Sequence, residues 1–231
     1  MRENKLSPLP NQMLALEDVS LALTGGAGRV EILKNVSAEI EAGEIVALTG
    51  PSGSGKSSLL AVAAGLERAT SGSIRLLGSE LIGRSEDDLA RIRRSAVGVV
   101  FQSFHLLPNM TALENVALAA EIAGAVRPQE AARDALARVG LSPRAGHYPS
   151  QLSGGEQQRT AVARAAVARP KILFADEPTG NLDSASGVAV RDLLFGLARE
   201  DRASLVLVTH EPDLAALCDR VIRMADGRIV A

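Results

Sequence analysis

The sequence contains little cysteine and few aromatic residues. Cys218 is the only cysteine among the 231 residues, which excludes a disulfide framework and a cysteine-rich zinc site and fits a reducing compartment. Tryptophan is absent and aromatic residues make up 2% of the chain, too few to stack the bases of a single-stranded nucleic acid. With 25 basic and 27 acidic residues, no strong net charge attracts nucleic acid or an anionic membrane. We therefore expect no nucleic-acid partner.

Long hydrophobic runs are also missing. The longest uncharged stretch, residues 95–113, contains several polar side chains and is too polar for a membrane span of about 20 apolar residues. Residues 1–12 contain two prolines and no apolar segment of signal-peptide length, so we expect a flexible leader there and no export signal. The remaining residues, 13–231, are expected to form a single domain, because 46% of the chain is hydrophobic and can fill a core.

The hydrophobic pattern predicts an α/β fold. Residues 13–23 and 30–40 have the pattern of antiparallel strands, and the apolar run at 44–49 is typical of a buried strand that leads into a helix near Lys56. Apolar runs and helical patterns alternate from residue 171 onward, which favours a mostly parallel sheet. The predicted elements there are strands at 171–176 and 204–209, helices at 184–199 and 211–218, and a hairpin turn at 226–227. Alanine-rich periodicity predicts an inserted α-helical subdomain at approximately 103–168.

A glycine-rich segment between the buried strand and its helix fits the pattern G-x-x-x-x-G-K-[ST]. Its residues are Gly50, Pro51, Ser52, Gly53, Ser54, Gly55, Lys56 and Ser57. The glycines allow backbone N–H groups to point at phosphate oxygens, and the helix N-terminus adds its positive end. Lys56 would contact the β- and γ-phosphates, and Ser57 would offer a hydroxyl to Mg²⁺. The segment predicts nucleotide binding; a glycine-rich turn without a ligand is the alternative.

Two carboxylates end the predicted strand at 171–176. A parallel strand delivers its carboxyl end to the ligand crevice, so Asp176 would hold Mg²⁺ through water. Glu177 would orient or deprotonate the water that attacks the γ-phosphate. His210 closes the next strand and would emerge at the same edge, near the γ-phosphate. Taken alone, the carboxylates are more typical of a solvated turn and the histidine of a structural residue, so the assignment depends on the phosphate-binding loop.

A second anion site is predicted where a long helix begins. Ser153 is a natural N-cap, and the glycines that follow, Gly154 and Gly155, expose the first backbone N–H groups of the helix. An ordinary capped helix would also explain this segment taken alone.

Together these motifs resemble the nucleotide-binding cassette of ABC transporters. The resemblance covers the chain from about residue 14 and is carried by the phosphate loop, Gln102, the LSGGEQ segment at 152–157, Asp176-Glu177, Asn181-Leu182-Asp183 and His210. It implies a P-loop NTPase core with a mostly parallel sheet, an N-terminal antiparallel β portion and an inserted α-helical subdomain.

The resemblance also implies roles for individual residues. Lys56, Ser57 and Ser58 would contact phosphate or metal, Gln102 would sense Mg²⁺ and water, and Asp176 would be the second-sphere carboxylate of the metal.

The remaining matched residues imply hydrolysis in a dimer. Glu177 would be the catalytic base and His210 the clamp on the γ-phosphate. A homodimer would sandwich two ATP molecules with Asp183 at its seam, because each subunit would touch the ATP of the other through Ser153, Gly154 and Gly155.

The segments at 98–116 and 147–152 look like the subgroup of cassettes that serves lipoprotein release and macrolide export. This resemblance implies an ATP-hydrolysing subunit that powers a separate, membrane-spanning permease of the cell envelope. The subunit would be cytoplasmic and peripheral on the inner face of the cell membrane. The apolar stretch after Gln102 would receive a permease helix, or would only pack the helical subdomain.

Two other classes of function remain as alternatives. A soluble ABC-type ATPase that regulates a non-transport complex usually carries tandem cassettes or long insertions, and neither fits within 231 residues. A nucleotide-binding regulator without turnover is disfavoured by the presence of both Glu177 and His210.

One feature departs from the family pattern. The family usually stacks an aromatic side chain on adenine, but no aromatic residue precedes Phe101, and Leu23 lies near the expected place. We therefore predict modest ATP affinity and poor discrimination against GTP.

Overall fold

The computed structural model describes residues 11–25 and 28–230. Its strands are β1 (Gln12–Gly25), β2 (Gly28–Glu41), β3 (Ile45–Thr49), β4 (Ser71–Leu76), β5 (Ser79–Glu80), β6 (Val97–Val100), β7 (Ile172–Asp176), β8 (Ser204–Val208), β9 (Arg220–Ala225) and β10 (Arg228–Val230). Its α-helices are α1 (Lys56–Ala63), α2 (Glu86–Ala96), α3 (Ala112–Ile122), α4 (Pro128–Arg138), α5 (Gly154–Ala166), α6 (Ser184–Glu200) and α7 (Pro212–Ala215). None of these helices is long and apolar enough to cross a bilayer.

The N-terminal strands form an antiparallel sheet in the order β2-β1-β4-β5. Residues 1–10 of the predicted leader lie outside the described residues, and Gln12 already pairs with Glu41, so β1 begins one residue before the predicted boundary. The long hairpin buries apolar side chains of β1, such as Leu16 and Val19. The sequence pattern did not indicate β4 and β5, because both strands are short and mostly polar.

A second sheet has the order β10-β9-β3-β8-β7-β6 and is parallel except for the β9–β10 hairpin. The predicted fold class, α/β with a mostly parallel sheet, is confirmed. All five residues of β8 and four of the five in β3 are buried, as expected of central strands covered on both faces. The carboxyl ends of β3, β7 and β8 therefore meet at one edge of the sheet.

Helices α3, α4 and α5 pack against one another within the predicted helical subdomain. Their buried side chains, such as Val116, Leu136 and Val162, belong to the same hydrophobic cluster as Leu173 and Leu207 of the central sheet. This shared core anchors the helical segment to the strands that carry the site.

The helix predicted at 211–218 is shorter in the structure. Helix α7 ends at Ala215 because the chain then turns into β9, where the N–H of Asp219 donates to the carbonyl of Ile45 at 2.8 Å. Helix α2 and strand β6, residues 86–100, were not predicted.

Candidate nucleotide site

The glycine-rich loop follows β3 and leads directly into α1, as predicted. Gly50 has a φ of 143°, and a side chain there would place its Cβ 2.1 Å from the carbonyl oxygen of Met224. Gly55 precedes α1 with a φ of 96° and no side-chain cap, so no side chain occupies the first N–H groups of the helix. The loop therefore requires glycine for steric reasons, and it leaves backbone donors for an anion.

Lys56 lies under this loop. Its side chain is buried, and Nζ donates to the carbonyl oxygens of Gly50 and Pro51, each at 2.9 Å. An ammonium has three hydrogens, so one donor remains for a ligand. The buried hydroxyl of Ser54 has no hydrogen-bond partner among the described residues. A positive charge beside an unpaired polar atom fits the phosphate oxygens of a nucleotide.

Ser57 and Asp176 connect the loop to the end of β7. The Ser57 hydroxyl donates to Asp176 Oδ1 at 2.9 Å. Burial raises the pKa of Asp176, the Ser57 hydrogen bond opposes this rise, and the nearby Glu177 charge adds to it. Hydroxyl and carboxylate oxygens are ligands that Mg²⁺ prefers, so the pair fits this ion beside a phosphate.

Glu177 and His210 lie at the same edge of the sheet, as predicted. Glu177 Oε1 lies 3.6 Å from His210 Nδ1. Glu177 has a φ of 43°, and its backbone N–H donates to the carbonyl of Val208 at 3.1 Å, at the end of β8. The left-handed backbone turns the chain away from the sheet directly after the strand, which sets the direction of the Glu177 side chain.

Gln102 follows β6 and approaches the same edge through a pair of hydrogen bonds to Asn181. Gln102 Nε2 donates to Asn181 Oδ1 at 3.2 Å, and Asn181 Nδ2 donates to the Gln102 carbonyl at 3.1 Å. A Cβ on Gly180 would lie 2.9 Å from Gln102 Nε2 and 3.4 Å from Glu177 Oε2, so Gln102 and Glu177 flank the same glycine. The sequence placed Asn181 in the motif Asn181-Leu182-Asp183 but predicted no individual role for it.

Ser153 caps α5, as predicted. Its hydroxyl accepts from the N–H of Glu156 at 3.2 Å, and Glu156 Oε2 accepts from the N–H of Ser153 at 2.9 Å. The hydrogen bond from the Ser153 N–H, with Arg144 also in contact, lowers the pKa of Glu156. The capping box therefore fixes the Ser153 side chain at the N-terminus of α5.

Gly154 and Gly155 bring the start of α5 against α6. A Cβ on Gly155 would lie 2.8 Å from Ser186 Oγ, in the first turn of α6. Asp183 caps that helix by accepting from the N–H groups of Ala185 and Ser186. The two helix starts therefore lie side by side.

Arg164 of α5 was not found by sequence reasoning. Its guanidinium donates to the carbonyls of Phe104 and His105, at 2.8 Å and 2.5 Å, and burial lowers its pKa. Phe104 and His105 both have positive φ angles, 59° and 50°. Arg164 thus stabilises a strained turn two residues after Gln102, a contact that no local pattern in the sequence reveals.

The loop with its buried lysine, followed by a serine bonded to a strand-end carboxylate, defines a P-loop nucleotide-binding protein. Comparison with protein families narrows this class: a family model described as ABC transporter matches residues 33–180. The chain belongs to this family and is an ABC transporter ATP-binding subunit.

Several known proteins are similar over nearly the whole chain. The uncharacterized ABC transporter ATP-binding protein YbbA of Escherichia coli K12 is 48% identical over 88% of this chain and 90% of its own length. The lipoprotein-releasing system ATP-binding protein LolD of Geobacter metallireducens is 45% identical over 96% of this chain and 99% of its own. The macrolide export ATP-binding/permease protein MacB of Shigella flexneri is 44% identical over 94% of this chain, which corresponds to 34% of that longer protein.

A solved structure confirms the fold. The ATP-binding cassette MJ0796, determined as a dimer in a post-hydrolysis state bound to ADP and Pi, has a TM-score of 0.88 and 38% identity, covering 95% of this chain and 97% of its own. The predicted family and fold are both confirmed, and the family is one of dimeric ATPases that act in transport.

Proposed function

We propose that this chain binds and hydrolyses ATP to power a separate membrane permease of the cell envelope, of the lipoprotein-release or export type. The observation that carries the proposal is the gathering of two side-chain pairs at one sheet edge beside the phosphate loop. Ser57 and Asp176 form one pair, and Glu177 and His210 form the other.

The phosphate loop binds the triphosphate of ATP in this proposal. Its residues from Gly50 to Ser58 supply backbone N–H groups, the Lys56 ammonium and serine hydroxyls. Mg²⁺, when bound, neutralises phosphate charge. Ser57 would hold it directly, Asp176 would hold it through water, and Gln102 would sense the ion and the water from beside Gly180.

Hydrolysis requires a group that accepts a proton from the attacking water. Glu177 is placed for this role because its carboxylate is only partly exposed and its backbone is fixed to β8. His210 is mostly exposed and lies 3.6 Å from that carboxylate, so it can contact the γ-phosphate beside the water. Gln102 and Glu177 both lie beside Gly180, so Gln102 is also close to this carboxylate.

The start of α5 would complete the site of a second subunit. Gly154 and Gly155 add no bulk at the helix N-terminus that Ser153 caps, which favours an anion there. The dimeric, ADP- and Pi-bound form of MJ0796 supports a homodimer that sandwiches two nucleotides. Asp183, which caps the neighbouring helix, would lie at the seam.

A permease partner is supported by the names of the relatives LolD and MacB. The stretch after Gln102 exposes Leu107, and the 147–152 segment exposes Tyr148, with 43% and 46% of their surfaces accessible. We infer that these side chains belong to the permease contact and that the chain is cytoplasmic, held at the inner face of the membrane. Residues 13–231 would act as one domain with 103–168 as its helical subdomain.

The test begins with purified protein and the substitution Glu177→Gln. We expect Mg²⁺-dependent ATP hydrolysis by the native protein, a loss of turnover of roughly 100-fold or more in the variant, and retained ATP binding. Glu121→Gln, an exposed change in the last turn of α3, is the matched control and should hydrolyse normally. Turnover that survives in Glu177→Gln would contradict the assignment of the base.

The partner is then identified in native cells. Tagged Glu177→Gln is isolated from solubilised membranes with ATP and Mg²⁺, and co-purifying proteins are identified by mass spectrometry. A membrane permease supports the proposal and names the pathway. Recovery of only ribosomal or DNA-associated proteins, or of no partner, favours a soluble ABC-type ATPase instead.

A further inference from the structure

Gln158 is a fully buried polar side chain in the middle of the molecule, with 0% of its surface accessible. It lies on α5, and its Nε2 donates to the carbonyl of Pro178 at 2.7 Å and to the carbonyl of Phe101 at 3.3 Å. Phe101 directly precedes Gln102, and Pro178 directly follows Glu177. The Gln158 side chain thus connects the backbone next to Gln102 with the backbone next to Glu177.

The backbone that Gln158 contacts is strained at Glu177. Glu177 has a φ of 43°, and a positive φ at a residue other than glycine is unfavourable and persists only when neighbouring bonds enforce it. The N–H of Glu177 donates to the carbonyl of Val208. The carbonyl of the following residue, Pro178, accepts a hydrogen bond from Gln158 Nε2. Glu177 is therefore fixed from the strand on one side and from α5 on the other.

The Gln158 amide is oriented so that its NH₂ group, and not its oxygen, makes hydrogen bonds. Its Oε1 is buried with no hydrogen-bond partner among the described residues, which destabilises the folded state. A carboxamide nitrogen carries two donors and can bond both carbonyls at once, which no hydroxyl can do. The two bonds offset the unpaired oxygen.

We propose that Gln158 is a positioning residue that sets Glu177 and Gln102 relative to α5. The same helix begins at Ser153, the residue assigned above to the nucleotide of the second subunit. Gln158 therefore connects the helix that begins at Ser153 to the backbone beside both hydrolytic side chains of its own chain. This inference rests on the proposed ATPase function.

The test compares Gln158→Met with Thr160→Val. Methionine fills a similar volume but has no hydrogen-bond donor, so the carbonyls of Phe101 and Pro178 both lose their hydrogen bond from residue 158. Thr160 is equally buried on the same helix, but its hydroxyl bonds only the Glu156 carbonyl of its own helix, at 2.8 Å. We expect kcat to fall roughly 10- to 100-fold in Gln158→Met, because small misplacements of reacting groups have effects of this size. The KM for ATP should stay within about twofold of the native value, and ATP-dependent dimerisation in a Glu177→Gln background should be retained.

Gln158→Asn provides a second variant that keeps the amide but is one methylene shorter. If Gln158→Met does not fold, Gln158→Asn is judged by the same kcat and KM criteria. Thr160→Val should keep the native kcat, although both it and Gln158→Met will lower the melting temperature. A lower melting temperature alone therefore does not support the inference.

Two results would overturn the inference in distinguishable ways. If the native protein hydrolyses ATP and the Gln158 variants match Thr160→Val in kcat, Gln158 is only structural and the ATPase function stands. If the Gln158 variants lose ATP affinity and kcat to the same extent, Gln158 is likewise only structural. If the native protein does not hydrolyse ATP at all, the proposed function fails and the role of Gln158 fails with it.

Discussion

The Ser57 hydroxyl donates to Asp176 Oδ1 across 2.9 Å and so joins the first turn of α1 to the end of β7. The two residues are 119 positions apart in sequence. Their contact depends on the parallel sheet, which places β3 and β7 on either side of β8 with their carboxyl ends together. The same arrangement brings Glu177 to His210.

Replacing Asp176 with asparagine tests the metal role of this pair. Asparagine keeps an oxygen that can accept the Ser57 hydrogen bond but removes the negative charge. We expect the Mg²⁺ concentration needed for half-maximal ATPase activity to rise roughly 10- to 100-fold, the usual effect of changing an outer-sphere ligand. Asp192→Asn, at an exposed ion pair with Arg191 on α6, is the control. An unchanged Mg²⁺ requirement in Asp176→Asn would show that this carboxylate does not serve the ion.

Asn115 closes the loop between Gln102 and α3. Its Nδ2 shares two hydrogens among the carbonyls of Leu107, Met110 and Thr111, at 3.0 to 3.1 Å, and its Oδ1 accepts from the Leu107 N–H at 2.7 Å. Asn115 is 2% exposed, and Asn115→Leu removes the side-chain partners of the Leu107 N–H and the Met110 carbonyl. We expect the free energy of unfolding to fall by about 2 to 3 kcal/mol, measured by urea denaturation.

The control for this change is Asn109→Leu, at an exposed position in the same loop. It should alter stability by less than about 0.5 kcal/mol. If the permease contact includes Leu107, Asn115→Leu should also reduce stimulation of the ATPase by the permease more than it reduces basal turnover. Equal stability of the two variants would show that the hydrogen bonds of Asn115 are not needed to hold the loop.

Much of the fold could be predicted from the sequence because its signals are local. Gly50 to Ser57 lie between a short apolar run and a helix, and Ser153 is followed at the right spacing by Glu156 for a capping box. The contacts of Asn181, Arg164 and Gln158 could not be predicted. Each joins segments that are distant in sequence, and each ends on a backbone carbonyl, an acceptor that every residue provides.

Cys218 is expected to be unreactive in the folded protein. Burial, together with the charge of Asp219, raises its pKa to about 11. At pH 8 only on the order of one thiol in a thousand is then ionised. We expect a thiol reagent at this pH to label the native protein roughly 100-fold more slowly than the urea-unfolded protein. The signal is unambiguous because the chain has one cysteine. Native and unfolded rates within a few-fold of each other would contradict the pKa shift.

Leu23 is the place to test how the base of the nucleotide is recognised. It lies near the end of β1, is 50% exposed and pairs with Val30 of β2. Two residues further along β2, the carbonyl of Ile32 would lie 3.0 Å from a Cβ on Gly55, so this hairpin packs against the phosphate loop. A leucine here offers an apolar surface but no aromatic ring to stack on adenine.

We therefore expect ATP and GTP to compete for the native protein with affinities within about threefold of each other. Leu23→Tyr should tighten ATP binding by roughly 2- to 10-fold, the effect of an added stacking contact. Val126→Tyr is the control, since Val126 is 95% exposed between α3 and α4. A strong preference of the native protein for ATP would mean that groups other than Leu23 read the base. In that case Leu23→Tyr should change ATP affinity little. The ATP/GTP competition and the ATP affinity of Leu23→Tyr together distinguish stacking on the base from recognition by hydrogen bonds.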